Sequence, residues 1–370
     1  MGRLGVIMAE YRVGIVGCGG ISRVHAKAYQ STSDTEIVCC ADIKEEAVSK
    51  FGEEFNIPES ARYLSHEAML ESEELDIISV CTWHGSHSPI TVDACKAGIK
   101  GVLCEKPMAT SLGEADAMLE ASAASGTKIA IGHQGRFRPV NVKARELILA
   151  GAIGQPAAVF RRDSDGLLNN GTHAIDGVCF LLGDPKAEWV MGQVSRYTDK
   201  WERRVRIEDC CMGLVCFEGG TRFVIESDLP EPGHPGPSVY GTEGAIRIER
   251  GAVYLMNPKQ AGWQEIKPGE PIAKPEDTVM QAGWSAPAEA SPTQVAELIA
   301  CIEGKIEEHR GSGRHARATV EIMMAIYESL RIRDVVRLPL ETRESPLKLM
   351  IDSGALPVTK PGKYDIRVPF

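Results

Sequence analysis

No run of apolar residues in this 370-residue chain approaches the length that crosses a bilayer, and no internal repeat or low-complexity tract interrupts it. A spanning helix needs about 20 consecutive apolar residues, so no membrane partner is expected. No charged-then-apolar leader opens the chain. Residues 1–7 read as an appendage, because Met8-Ala9-Glu10 leads straight into the first apolar run, and secretion is not expected. Positive charge is also short. Lys and Arg number 41 against 51 Asp and Glu, a formal net charge of −10. Duplex binding relies on clustered Lys and Arg, so no nucleic-acid partner is expected. The same field works against a strongly anionic substrate unless local arginines override it.

The C-x-x-C spacing of zinc and redox sites is missing too. The 11 cysteines are odd in number. Cys39, Cys40, Cys81, Cys104 and Cys179 sit inside apolar runs, the usual place of buried free thiols, and the adjacent Cys210 and Cys211 are badly placed to pair. No metal site is expected, and a reducing, cytoplasmic compartment fits. What remains is an ordinary globular composition, 43% hydrophobic and 25% charged, over a length that suits two domains.

From residue 11 to 131, short apolar runs at 13–16, 37–41, 77–81, 101–104 and 128–131 alternate with amphipathic helical stretches. Gly98 and Gly126 stand where helices stop. Near-continuous apolar strands alternating with helices mean a parallel sheet covered on both faces. The first domain, 8–131, is therefore an α/β doubly wound nucleotide-binding domain. After Gly132 the pattern changes. Helices are expected at 142–149 and 169–182. Between 188 and 255, strands alternating at period two suit a large open, mainly antiparallel sheet. Residues 229–237 and 267–287 read as irregular loops, followed by two long amphipathic helices at 292–307 and 317–335. The second domain spans 132–345, with a C-terminal extension at 346–370.

Four motifs carry chemistry. Gly17-Cys18-Gly19-Gly20-Ile21-Ser22 lies between an apolar strand and a helix. There the first glycine permits a tight turn, the second lets backbone approach a pyrophosphate, and the helix start offers free N–H donors. Ser22 replaces the usual third glycine. Asp42 ends the second strand, where a carboxylate accepts from both ribose hydroxyls and repels a 2′-phosphate; NAD is favoured over NADP. Glu105-Lys106-Pro107 closes the strand at 101–104, and strand carboxyl ends are where doubly wound folds bind ligands. In Asn169-Asn170-Gly171-Thr172-His173-Ala174-Ile175-Asp176, Thr172 reads as a helix N-cap. His173 then falls in the first turn, where the positive helix end disfavours imidazolium.

Together these residues resemble the Gfo/Idh/MocA oxidoreductase family, named for glucose–fructose oxidoreductase, inositol dehydrogenase and a rhizopine-catabolism protein. The resemblance also takes in Cys81-Thr82, His87, Gly151-x-Ile153-Gly154, Ala325-Ile326-Tyr327-Glu328-Ser329 and Val336-x-Leu338-Pro339-Leu340. It implies an N-terminal Rossmann domain and a C-terminal α/β domain whose open sheet forms homo-oligomer contacts, as a dimer or tetramer. It further implies NAD bound by Gly17, Cys18, Gly19, Gly20, Ile21 and Asp42, with Thr82, Trp83, His84, His87, Glu105 and Lys106 beside it. Lys106 matches the lysine that holds the reacting hydroxyl, and His173 the general base that takes its proton. Two positions depart from the family pattern. The usual Thr-Pro-Asn is Thr82-Trp83-His84, and the acid four residues before the histidine is Asn169, which is expected to orient substrate.

The reading that follows is an NAD-dependent dehydrogenase or reductase acting on a hydroxyl-bearing carbon of a sugar, glycoside or cyclitol. Substrate selection is expected at His133, Arg136, Arg162, Asn170 and Asp176, with Trp83 and His84 at the mouth. Two other uses of the fold are weighed against it: tightly held, recycling NAD that brackets another step such as glycoside cleavage, and non-catalytic sensing. Intact Lys106 and His173 argue against the second.

Overall fold

The computed structural model describes residues 10–163, 165–228, 236–249, 251–259, 262–268, 279–281, 284–286 and 290–369. Its first stretch runs β1 (Tyr11–Val16), α1 (Gly20–Gln30), β2 (Thr35–Ala41), α2 (Glu45–Glu54), β3 (Arg62–Tyr63) and α3 (His66–Ser72). It continues through β4 (Ile77–Val80), α4 (His87–Lys96), β5 (Gly101–Cys104), α5 (Leu112–Ser125) and β6 (Lys128–Ile131). The strands pair in parallel in the order β3-β2-β1-β4-β5-β6. Order reverses between β1 and β4, so the loops after those strands border the crevice where such sheets take their ligands. All four residues of β4 and of β5 are buried, which explains their unbroken apolar runs. The glycines predicted to stop helices do so: Gly98 and Gly126 have φ of 78° and 81°.

The second stretch contains α6 (Pro139–Leu149), β7 (Pro156–Asp163), α7 (Thr172–Leu181), β8 (Ala187–Ser195), β9 (Asp199–Glu202), β10 (Val205–Arg206), β11 (Cys210–Phe217) and β12 (Arg222–Ser227). Then follow β13 (Ser238–Gly241), β14 (Ala245–Glu249), β15 (Ala252–Met256), β16 (Gln264–Ile266), β17 (Val279–Gln281) and β18 (Trp284–Ala286). The chain closes with α8 (Ala290–Ile302), α9 (Gly313–Ile332), β19 (Val336–Arg337), α10 (Pro346–Asp352) and β20 (Lys363–Asp365). Nine strands form one sheet in the order β16-β15-β14-β13-β7-β12-β11-β8-β19. Its pairs are antiparallel except β7 with β12. Strand β7 was not foreseen, because Pro156 and three consecutive charges, Arg161 to Asp163, obscure its alternation. One face buries Val190, Val215, Phe223 and Ile225 completely, each contributing roughly 1.5–3 kcal/mol, and α7 and α9 pack on it. Of the stretches expected to be irregular, 229–235 and most of 267–287 lie outside the described residues.

The chain divides into two compact units. The first holds residues 1–105, 118–132 and 273–312, the second 106–117, 133–272 and 313–370. The expected boundary at 131/132 is therefore crossed twice. Helix α8 returns to the first unit because its apolar side packs on α1, β5 and β6. The segment beginning at Lys106 belongs to the second. The C-terminal extension is part of the second unit as well, since β20 adds to β9 and β10 in a small sheet.

Candidate active site

In the first unit a cleft of about 850 Å³ opens along the ends of β1, β2 and β4. Gly17, Gly19, Asp42, Thr82 and Trp83 are on its wall, with Lys44, and with Ser65 and His66, which the sequence reading passed over. Gly17 has φ +90°, and a Cβ there would lie 2.7 Å from the Cys81 backbone, so only glycine makes this turn. A Cβ on Gly19 would meet nothing within 4 Å: that side of the turn is free for a ligand. The Asp42 carboxylate accepts from the N–H of Cys18 (2.8 Å) and of Lys44 (2.9 Å), one on each oxygen. Each oxygen keeps a lone pair for a hydroxyl. The Thr82 hydroxyl is buried without a partner. These features fit a dinucleotide: a close-approach turn at a helix start, a fixed carboxylate and a waiting hydroxyl.

Not every expected residue lies on that wall. Cys18 contributes its backbone while its thiol is buried, and Gly20 and Ile21 open α1. His84 and His87 are buried rather than at a mouth. The His87 ring bonds the Thr82 carbonyl at 3.1 Å, which holds the turn after β4. Of Trp83, His84 and His87, Trp83 alone stands open, 40% exposed. Glu105 is also buried, and its Oε1 meets His25 Nε2 at 2.9 Å, while His25 Nδ1 lies 2.6 Å from the Ser79 hydroxyl. Burial opposes charge on His25, but the Cys81 sulfur and the Glu105 carboxylate outweigh it and lift its pKa to about 10. Glu105 therefore ties β5 to α1 by an ion pair, and nothing in the sequence pattern marked His25 as its partner.

In the second unit, a π-helical turn at Leu167–Gly171 runs directly into α7. Thr172 is thus inside a continuous helix and not its cap. Its hydroxyl bonds His133 Nε2 at 3.0 Å. The turn is held by two carboxylates: buried Glu208 accepts from the Leu167 N–H (2.7 Å) and the Tyr327 hydroxyl (2.6 Å), and half-buried Asp228 accepts from the N–H of Asp165 and of Gly166. Lys106 Nζ donates to the carbonyl and to the side-chain Oδ1 of Asn169, at 3.2 and 3.3 Å. Asn169 Nδ2 is buried without a partner. The His173 ring stands edge-on to His133, centroids 5.8 Å apart. Burial holds the His173 pKa well below the ordinary histidine value, and Lys106, His133 and Arg138 add to the effect against the opposing pull of Asp176. The ring is therefore neutral, as expected, but through enclosure and neighbouring cations and not through a helix terminus.

Four residues assigned to substrate have partners within the protein. Arg136 is fully buried, with Nε 2.9 Å from Asp176 and Nη1 2.8 Å from Asp184. Asp176 is buried between Arg136 and His133, whose Nδ1 lies 3.2 Å away. Burial would raise its pKa, but Arg136 and His133 outweigh that and keep it well below the carboxylate range. These groups form a chain that fixes His133 beside His173. Arg162 points to the other face of the sheet, paired with Glu226 at 2.8 Å, because alternation along β7 turns it away from α7. Asn170 lies within 3.5 Å of Asp165. The sequence reading picked Arg162, where its neighbour Arg161 turns to the α7 side of the sheet.

Residues 11–133 match an oxidoreductase family with an NAD-binding Rossmann fold, and residues 145–338 match the same family's C-terminal α/β domain. D-apiose dehydrogenase of Paraburkholderia graminis is 26% identical, with 94% of this chain and 95% of that protein covered. Myo-inositol 2-dehydrogenase of Thermotoga maritima is 23% identical over 67% of this chain and 76% of that one. Among solved structures, aldose-aldose oxidoreductase from Caulobacter crescentus, complexed with glycerol, superposes with a TM-score of 0.74 over 89% of this chain and 100% of that one, at 22% identity. With both family domains matched in order and a cleft that fits the dinucleotide, the chain belongs to the Gfo/Idh/MocA family of NAD-binding oxidoreductases.

Proposed function

We propose that this enzyme oxidises a hydroxyl-bearing carbon of a sugar, glycoside or cyclitol, with His173 as proton acceptor and Lys106 as the group that holds the reacting oxygen. The observation that carries the reading is the cluster at the start of α7: a lysine fixed on Asn169, an enclosed neutral imidazole, and a buried Asn169 donor with no partner. A base must be unprotonated to accept the hydroxyl proton, and His173 is so at neutral pH. Asn169 orients Lys106 through Oδ1 and offers Nδ2 to a substrate oxygen. Bound NAD supplies the acceptor for the hydride that leaves the same carbon. The names of the sugar and cyclitol dehydrogenases among its relatives support the substrate class. The test is NADH formation over a panel of aldoses, glycosides and inositols together with their uronate and phosphate derivatives. One of them is oxidised, and Lys106→Ala and His173→Ala each lower kcat/KM by roughly 10²–10⁴ without changing NAD affinity. Wild-type rates in both variants would refute the assignment.

The enzyme works as a homo-oligomer in a reducing, cytoplasmic compartment. Phe160, Met191, Met212 and Tyr240 are each 45–50% exposed on the sheet face opposite α7 and α9, an apolar surface of the kind that a second copy covers. All eleven cysteines are unpaired, which supports the compartment. No described helix is long and apolar enough to cross a membrane.

A further inference from the structure

Arg138 and Arg161 each have a buried Nε with no hydrogen-bond partner. Arg138 directly precedes α6, next to the turn Gln134–Phe137. Arg161 lies on the inner face of β7, in register with the fully buried Ile225. Helix α7, which carries His173, packs against both β7 and that turn. Arg161 Nη2 reaches Asp163 at 3.3 Å, whereas Arg138 has no acidic partner among the described residues. Burial depresses the Arg138 pKa and the charge of Arg161 depresses it further, so the two cations sense each other. Enclosing like charges without counter-ions is costly, and proteins otherwise pair such groups. Here no acid among the described residues pairs with Arg138, and Arg161 has only Asp163, on one Nη.

We propose that Arg138 and Arg161 receive an oxyanion of the substrate, which is therefore a polyol bearing a carboxylate or a phosphate and not a neutral sugar. The proposal rests on the reading above, that Lys106 and His173 act on substrate beside α7. Guanidinium forks match the geometry of both oxyanions. The net charge of −10 does not forbid it, because charges beyond a screening length of ~8 Å count for little against two local guanidiniums.

The experiment is titration calorimetry on the NAD-loaded protein with matched sets: D-galactose, D-galacturonate and D-galactose 6-phosphate; D-glucose, D-glucuronate and D-glucose 6-phosphate; myo-inositol and its 1-phosphate. A charged member should bind at least about tenfold more tightly than its neutral partner, a tenfold step being 1.4 kcal/mol. Arg138→Gln and Arg161→Gln should each remove about that factor for the charged member and leave the neutral one unchanged, with partial recovery in the Lys variants. Whether uronates or phosphates gain distinguishes the two oxyanions. Neutral members binding as tightly as charged ones in every set overturns the proposal, as does an affinity for the charged member that ignores both Gln variants. If a neutral sugar is oxidised at a rate that His173→Ala abolishes, the proposed reaction stands and the anion site falls. If the arginines set affinity while Lys106→Ala and His173→Ala keep full rate, the reverse holds.

Discussion

His173 owes its low basicity to burial and to the cations around it, and with His173 as the proposed base this sets how the enzyme should answer pH. A depressed pKa means the imidazole is neutral at and above the ordinary histidine range, so oxidation should run on a plateau through neutrality and fall only when pH drops well below that range. His173→Ala should erase that acidic limb from kcat/KM. Asn169→Asp should shift it to higher pH, because a carboxylate beside the ring favours imidazolium. An unmoved limb in Asn169→Asp would show that the titrating group lies elsewhere. Asp42 sets a second expectation. Its oxygens are fixed by two backbone N–H groups on the cleft wall, where a 2′-phosphate meets a negative charge. NAD should therefore bind more tightly than NADP, and Asp42→Ser should narrow the gap in a tryptophan-fluorescence titration of both cofactors. Equal affinities in the wild type would contradict this.

Between elements, the buried His25–Glu105 pair joins α1, which opens at the glycine turn, to the end of β5. Removing one partner of a buried pair costs roughly 3–5 kcal/mol, so His25→Leu should lower the melting temperature markedly. The pH dependence has a definite sign. The folded-state pKa of His25 is raised to about 10 from an ordinary 6.5, so its stabilisation is complete below pH 6.5 and is lost progressively as pH rises through 10. Melting curves of the wild type should decline over that window, and the difference from His25→Leu should shrink there. A constant difference from pH 6 to 10.5 would mean that the pair is held by packing alone. The π-helical turn before α7 is another junction of this kind. Glu208 and Asp228 come from distant parts of the chain to hold it, and the helix consequently starts at a place that local capping rules do not indicate.

At the scale of the molecule, the exposed apolar face of the nine-stranded sheet gives the oligomer its test. Met212→Glu, alone or with Phe160→Glu, puts charge on the surface proposed for a second copy, and light scattering should show a lower mass with the fold retained by circular dichroism. A wild type that is monomeric at micromolar concentration would rule out this use of the face. The sequence by itself determined what depends on local repetition and local chemistry. The alternation of buried strands and helices defined the parallel sheet, the glycine turn and Asp42 pointed to the cofactor, and Lys106 and His173 could be proposed because their motifs are contiguous. What only tertiary structure decided was the occupation of each polar side chain. Arg136 and Arg162 looked as available as Arg138 and Arg161, yet Asp176 and Asp184 neutralise the first and the pleat turns the second to the far face. His25, Glu208 and Asp228 gain their roles from partners that the fold brings to them. The physical reason is that a charged group's function depends on which counter-charges and how much water surround it, and those neighbours come from residues tens to hundreds of positions away.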